Sequence, residues 1–286
     1  MAPAPLLVVD GDNLAHRAYH SVPKTLRSRE GRPINVFVGW TNMVLLIWSQ
    51  EAPRNLFVAW DTLGSGTYRN DLWPSYQAGR VFDDAIVEQL DQLPALARAF
   101  GFGSGKQAGY EADDLMAAAV AAEVAAGGTC LVLTTDRDTY QLVSDRVTVL
   151  SPRKGISDIV RIGPAEVQER MGVPPGQVTE FKALAGDSSD NIPGARGVGP
   201  KGAAALLAQH GGLEAVLATR PEWAPGTEEG ERVRMFYELT AMRVDVPVEL
   251  PPTREPDWAA AADWLRAAGA ITLADRVAAR AGRLLL

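Results

Sequence analysis

The chain holds a single cysteine, Cys130, among 286 residues, so it can form neither an intramolecular disulfide nor a thiolate metal site. That thiol reads as a small buried strand residue suited to a reducing compartment. Long apolar runs are also missing. Stretches such as Val44-Leu45-Leu46-Ile47-Trp48 fall far short of a membrane span, and no basic stretch followed by a long apolar segment opens the chain. A cytoplasmic protein with no membrane partner is the expectation. Histidine is scarce: His16, His20 and His210 are the only three, and they read as surface or packing residues. A basic surplus is absent too. Lys and Arg number 28 against 35 Asp and Glu, a net charge of −7, whereas a nucleic-acid binder usually carries excess positive charge. The charge is uneven, however, because Arg17, Lys24, Arg27, Arg29 and Arg32 face only Glu30 between residues 17 and 32. The acids are therefore concentrated elsewhere.

What the chain does have is enough apolar residues, 47%, for a sizeable core. Leu6-Leu7-Val8-Val9, Asn55 to Trp60, Thr129 to Thr134 and Val147 to Leu150 read as buried strands. Val36 to Ser49 and Asp113 to Ala126 suit helices. Strands alternating with helices imply an α/β fold, a mostly parallel central sheet covered by helices on both faces. After about residue 160 the texture becomes helical, with Gly186 to Gly202 reading as a glycine-rich turn between two helices. The expected organisation is an α/β core over 1–160 and a helical region over 161–286 packed on it. Within the latter, Arg220 to Glu231 reads as a solvated loop and Ala259 to Ala281 as terminal helices.

Three predicted strands lead into aspartates: Asp10, Asp61 and Asp136. Glu111-Ala112-Asp113-Asp114, Asp136-Arg137-Asp138 and Asp187-Ser188-Ser189-Asp190 add further carboxylates. Each motif alone is explained by helix capping or a turn. Capping does not require nine carboxylates, most of them converging on one predicted sheet edge, and such a cluster needs compensating cations. Oxygen donors without thiolates favour Mg²⁺ or Mn²⁺ over zinc. Two such ions about 3.5 to 4 Å apart suit phosphodiester hydrolysis. Gly194-Ala195-Arg196-Gly197-Val198-Gly199-Pro200-Lys201 fits a helix-hairpin-helix whose amides approach a phosphate backbone, although an ordinary turn between helices has the same pattern. It lacks the Gly-Lys-Ser/Thr end of a nucleotide P-loop. From Tyr68 to Phe82, Arg69 and Arg80 are interleaved with Tyr68, Trp73 and Tyr76, a mixture that suits either unpaired bases or a partly packed loop.

In order, these motifs resemble the 5′ nuclease superfamily, meaning the nuclease domain of bacterial DNA polymerase I and stand-alone bacterial flap endonucleases. The residues that carry the resemblance are Asp10-Gly11 with Leu14 and Arg17; Asp61 with Tyr68-Arg69 and Pro74-Ser75-Tyr76; and Glu111-Ala112-Asp113-Asp114. Asp136-Arg137-Asp138-Thr139-Tyr140-Gln141-Leu142, Gly186 to Gly194 and Gly197-Val198-Gly199-Pro200-Lys201 complete it. The resemblance implies a PIN/5′-nuclease-like sheet, a helical arch over about 68–100, a helix-hairpin-helix over about 178–210, and metal-dependent cleavage of 5′ flaps or 5′ ends of DNA. It groups Asp10, Asp61, Glu111 and Asp113 around one ion and Asp136, Asp138, Asp187 and Asp190 around another, with Asp114 between. It further implies potassium at the hairpin. The DNA contacts it implies are Arg17, Arg69, Tyr76, Gln77, Arg80, Arg196, Gly197, Gly199 and Lys201. A monomer working beside a separate polymerase and ligase is the corresponding expectation.

Two positions depart from the pattern. The family typically reads Tyr-Lys-x-x-Arg in the arch, where this chain has Tyr76-Gln77-Ala78-Gly79-Arg80, and the phosphate-binding role of that lysine is vacant or moved to Arg80 or Arg69. Gly202 replaces a threonine usual after the hairpin lysine. The alternatives are a haloacid-dehalogenase-like phosphatase, in which Asp10 would be a nucleophile, and an inactive DNA-junction binder. Without the nine carboxylates the rest of the chain carries +2, so its acidity is concentrated in a place fit for cations.

Overall fold

In the computed structural model, residues 3–62, 66–78 and 83–281 are described. β1 (Leu6–Asp10) leads into α1 (Gly11–Ser21) and α2 (Asn35–Glu51), followed by β2 (Asn55–Trp60). Three short helices, α3 (Tyr68–Leu72), α4 (Asp84–Leu90) and α5 (Leu93–Ala99), precede β3 (Gly103–Lys106) and α6 (Ala112–Ala125). β4 (Cys130–Leu133), β5 (Val147–Pro152) and β6 (Ile159–Ile162) complete the sheet. The remainder is helical: α7 (Pro164–Met171), α8 (Val178–Ala185), α9 (Pro200–His210), α10 (Leu213–Leu217), α11 (Glu228–Thr240), α12 (Trp258–Ala267) and α13 (Ile271–Ala281).

The strand order is β3-β2-β1-β4-β5-β6, parallel throughout except for the antiparallel pair β5 and β6. β1 lies inside the sheet, with Val8 opposite Phe57 on one side and Val132 on the other. Its five residues are all buried because helices cover both faces, which is why the strand reads as an unbroken apolar run. The two-residue side-chain period divides them. Leu6 and Val8 join one core with α6 and the helices from α7 to α11, while Leu7 and Val9 join the other with α1 and α2.

The α/β class and the four expected strands are present, together with two strands that sequence pattern did not show. β3 has the sequence Gly-Ser-Gly-Lys, without a β-branched residue. Its glycines admit the Phe57 ring: a Cβ on Gly105 would lie 2.8 Å from Phe57 Cζ. The region after 160 is not one layer. α12 and α13 return to the face holding α2, where Trp258 packs against Trp48 and Phe100, and Trp264 against Phe37. At the far end of the segment expected as an arch, about 68–100, Leu93, Leu96 and Ala97 bury α5 in this same core. The segment read as a solvated loop instead inserts Trp223 into the other core, and α11 begins at Glu228 with Thr227 as its cap.

The hairpin after α8 depends on backbone that comes very close to itself. Gly194 has φ +73, and a Cβ there would lie 2.4 Å from the Gly186 nitrogen. Gly197 has a similar φ of +77 but open space around it. Gly194→Ala should therefore lose more than about 2 kcal/mol of stability and Gly197→Ala only about 1. Urea unfolding of both variants measures the difference, and equal losses would show that close approach is not the constraint.

Candidate metal centre and nucleic-acid interface

From β1 the chain moves to β2 and β3 on one side, then crosses back to β4 on the other, so the carboxyl end of β1 is the point where the strand order reverses. Ligand crevices of open parallel sheets form there. Asp10 ends β1 and caps α1, accepting hydrogen bonds from the Asn13 amide at 3.0 Å and the Thr134 hydroxyl at 2.8 Å. Asp61, just beyond β2, accepts from the Ala112 amide at 2.7 Å. Glu111 caps α6 in a capping box with Asp114. Asp136 follows β4, and its carboxylate receives the Asp138 amide at 2.9 Å. Backbone amides at helix and turn starts thus hold the carboxylates of Asp10, Asp61 and Asp136 in place.

These groups surround a cavity of about 620 Å³ lined by Asp10, Asp61, Glu111, Asp113, Asp136, Asp138 and Asp190. Burial pushes the Asp10 carboxyl up to about 7, with hydrogen bonds from Asn13 and Thr134 opposing and the carboxylates of Asp61 and Asp136 reinforcing the rise. Burial likewise raises Glu111 to about 7, against the pull of the Arg69 guanidinium. Asp113 is raised by burial and by Asp136, Asp10, Glu111 and Asp61 around it. A carboxylate that the motif reading passed over shares the cavity: Asp12 accepts from the Asp61 amide at 2.8 Å and is raised by burial and by Asp61.

A second set lies beside the first. Asp138, Asp187 and Asp190 each offer a carboxylate oxygen, all within 4.8 Å of one another. Lys182, only 6% exposed, donates from Nζ to both Asp138 and Asp187. Although burial alone would raise Asp187, hydrogen bonds from Lys182 and Ser189 hold it below the ordinary carboxylate range. Lys182 escaped the motif reading. It lies on α8 five residues before Asp187, and nothing local announces its contact with Asp138 from another element. The two sets offer hard carboxylate oxygens, with His16 the sole imidazole among the described residues that line the cavity, so these residues fit divalent cations of the Mg²⁺ type.

Three expected site residues serve differently. Asp114 is fully buried and forms a two-pronged ion pair with Arg69, at 2.7 and 2.8 Å, while also accepting from the Arg243 amide at 2.9 Å. Its oxygens are committed to the fold and do not line the cavity. Arg69, 2% exposed, also donates to the Leu239 carbonyl at 2.9 Å and lies 3.3 Å from Glu111. It is a structural cation and presents no charge to a DNA strand. Tyr76, 5% exposed, donates its hydroxyl to Glu111 at 3.0 Å, so its ring is not a stacking platform for a base.

The other expected contacts are distributed around the cavity. Gln77 reaches into it and donates to Asp190 at 3.0 Å. Arg80 lies outside the described residues. Arg17, partly exposed on α1, donates to the Arg153 carbonyl at 3.1 Å and shares with Lys154 a groove that meets the acidic cavity at Asn13 and His16. Arg196, Gly197 and Gly199 are exposed on the turn before α9, and Lys201 is exposed in the first turn of α9 itself. The Arg196 amide there donates to the Glu229 carboxylate at 2.9 Å.

With this geometry in view, the comparisons with known proteins are consistent. Residues 5–172 match the family described as 5′-3′ exonuclease, N-terminal resolvase-like domain, and residues 173–259 match 5′-3′ exonuclease, C-terminal SAM fold. The chain is similar to the 5′-3′ exonuclease of Mycobacterium tuberculosis, at 33% identity over 284 residues covering 88% of this chain and 89% of that protein. It is also similar to DNA polymerase I of the same organism, at 39% identity over 214 residues covering 74% of this chain, but it spans only about a quarter of that protein's length, 24%. Among solved structures, the T5 D15 protein co-crystallised with metal ions has the same fold, with a TM-score of 0.64 at 22% identity over 96% of each chain.

Removing one partner of a buried ion pair leaves an uncompensated charge. Arg69→Met should therefore cost about 3–5 kcal/mol in urea unfolding, and Arg69→Met with Asp114→Leu less than the sum of the two changes. The raised carboxyls set a pH dependence. Since Asp10 and Glu111 rise from 3.8 and 4.5 to about 7 on folding, their contribution to stability is complete below the lower values and is lost as pH climbs through about 7. Melting of the metal-free protein should show that loss between about pH 4 and about pH 7, with divalent cations restoring more stability at the upper end. A flat profile would contradict the raised pKa values.

Proposed function

The chain belongs to the 5′-3′ exonuclease family, and on that premise we propose that it is a divalent-metal-dependent 5′ nuclease acting on 5′ flaps and 5′ ends of DNA in replication or repair. The observation that carries this reading is the meeting of eight carboxylates, Asp12 included, in one cavity at the switch point of the sheet, beside an exposed glycine-rich hairpin. Family membership removes the phosphatase alternative, as does the local structure: the late acidic motif follows α8 and leads into the hairpin, where a haloacid-dehalogenase-like site would close a strand.

Mg²⁺ or Mn²⁺ bound at the carboxylates would supply an ionised water and offset the charge on the phosphodiester as it is cleaved. The chain's own residues do the rest. Asn13, Thr134 and Ala112 hold Asp10 and Asp61 in place before any cation arrives, so little rearrangement is needed on binding. Lys182 removes part of the repulsion within Asp138, Asp187 and Asp190 without filling the cavity shared by the first set. The exposed amides of Gly197 and Gly199, with Arg196 and Lys201, would grip the duplex backbone, and potassium beside the same hairpin follows the family pattern. Arg17 would meet the strand in the groove that joins the cavity at Asn13 and His16. With Arg69 and Asp114 neutralising each other internally, DNA contact relies on these local patches, so affinity should fall steeply with salt.

A 5′-labelled flap duplex incubated with Mg²⁺, Mn²⁺ or a chelator tests the proposal, and cleavage is expected only with a cation. Asp136→Asn should lower single-turnover cleavage by at least about a thousandfold while leaving flap binding in Ca²⁺ largely intact. Flap binding by the unmodified protein with no cutting under any cation would identify an inactive junction reader instead.

A further inference from the structure

The position where the family places a lysine is occupied here by Gln77, and its contacts make one continuous chain. Gln77 Nε2 donates to Asp190 Oδ1 at 3.0 Å and to the Tyr76 hydroxyl at 3.0 Å. The Tyr76 hydroxyl in turn donates to Glu111 Oε2 at 3.0 Å. Both hydrogens of the amide nitrogen and the single hydrogen of the phenol are thereby used, and both ends of the chain are carboxylates, which accept only. The amide cannot be reversed without setting its carbonyl oxygen against Asp190. The backbone keeps the residue in place independently: Gln77 has φ +49, its amide donates to the Asp190 carbonyl at 3.3 Å, Trp73 Nε1 donates to the Asn191 carbonyl at 3.0 Å, and Asn191 Nδ2 donates to the Ser75 carbonyl at 2.9 Å.

The charge balance explains why neutrality matters. Asp138, Asp187 and Asp190 bring three negative charges within 4.8 Å, and Lys182 already offsets one. A second ammonium at position 77 would offset another and compete with a divalent cation for the same oxygens. A carboxamide orients Asp190 through a hydrogen bond and leaves the negative charge of the cavity undiminished.

Building on the metal-dependent nuclease reading above, we propose that Gln77 is a positioning residue which, through Tyr76, links Asp190 of one carboxylate set to Glu111 of the other and orients both for divalent cations without adding charge. The expected consequence is on cation affinity in the absence of DNA. Calorimetric titration of the whole protein with Mn²⁺ should show Gln77→Ala binding roughly three- to tenfold more weakly than the unmodified protein. Tyr76→Phe should weaken binding by a similar factor, and the double variant by less than the product of the two factors, because both break the same link. Gln77→Lys, which keeps a donor but adds charge, should bind Mn²⁺ more weakly still while unfolding at the same urea concentration, a combination that a purely structural role would not produce. Equal Mn²⁺ affinity for Gln77→Lys and the unmodified protein, or fully multiplicative effects of Gln77→Ala and Tyr76→Phe, would overturn the link. Failure of the unmodified protein to bind Mn²⁺ would instead overturn the metal-centre reading beneath it. Should Gln77→Ala fail to fold, Gln77→Lys and Tyr76→Phe still decide the matter.

Discussion

Carboxylates that meet at one end of a parallel sheet repel one another, and the surroundings of the cavity are arranged around that repulsion. Some of it is met by backbone. Asp10 and Glu111 cap helices, and Asp61 accepts an amide from the first turn of α6, so partial positive charges at helix starts stand against the acids. Another part is met by two internal cations, Arg69 on Asp114 and Lys182 on Asp138 and Asp187. Neutral donors, Thr134, Tyr76 and Gln77, orient further oxygens. Burial, with the remaining repulsion added to it, raises the carboxyls of Asp10, Glu111 and Asp113. On the proposed function, that residual charge would hold cations that a phosphate can share.

The two internal cations also tie the architecture together. Arg69 leaves α3, pairs with Asp114 on α6 and donates to the carbonyl at Leu239 on α11, so one buried side chain joins three helices that are far apart in sequence. Lys182 similarly joins α8 to the turn after β4. Buried ion pairs of this kind add little net stability over apolar packing, but they set which partners can meet, and each is costly to leave half-made. The hairpin that follows α8 is therefore held at a set position relative to the acidic cavity.

Much of this was legible in sequence because it depends on short local patterns. Leu6 to Val9 and Asn55 to Trp60 read as buried strands since both faces of the sheet are covered. The Gly186 to Gly202 stretch read as a turn between helices because left-handed glycines have few other uses. Other features had no local signal. β3 carries glycines to admit the Phe57 ring, which hides a strand behind a loop-like composition. Trp223, set among prolines and glutamates, looked solvated although it fills the core beneath α11. Arg69 and Tyr76, read as strand contacts, share their composition with an exposed nucleic-acid surface, and only burial distinguishes the two.

Sequence alone determined the α/β class, the order of the acidic motifs and the hard-oxygen character of the site, because strand runs, caps and donor chemistry are properties of neighbouring residues. Its net charge of −7, which seemed to weigh against nucleic acid, already pointed to a concentrated anionic centre. Only the tertiary structure decided which carboxylates face the cavity and which are spent inside the protein. Asp113 and Asp114 are adjacent in the chain, yet one lies among the cavity acids and the other is sealed against Arg69. Adjacent side chains at the start of a helix point about 100° apart, and what each meets there is set by elements far away in sequence.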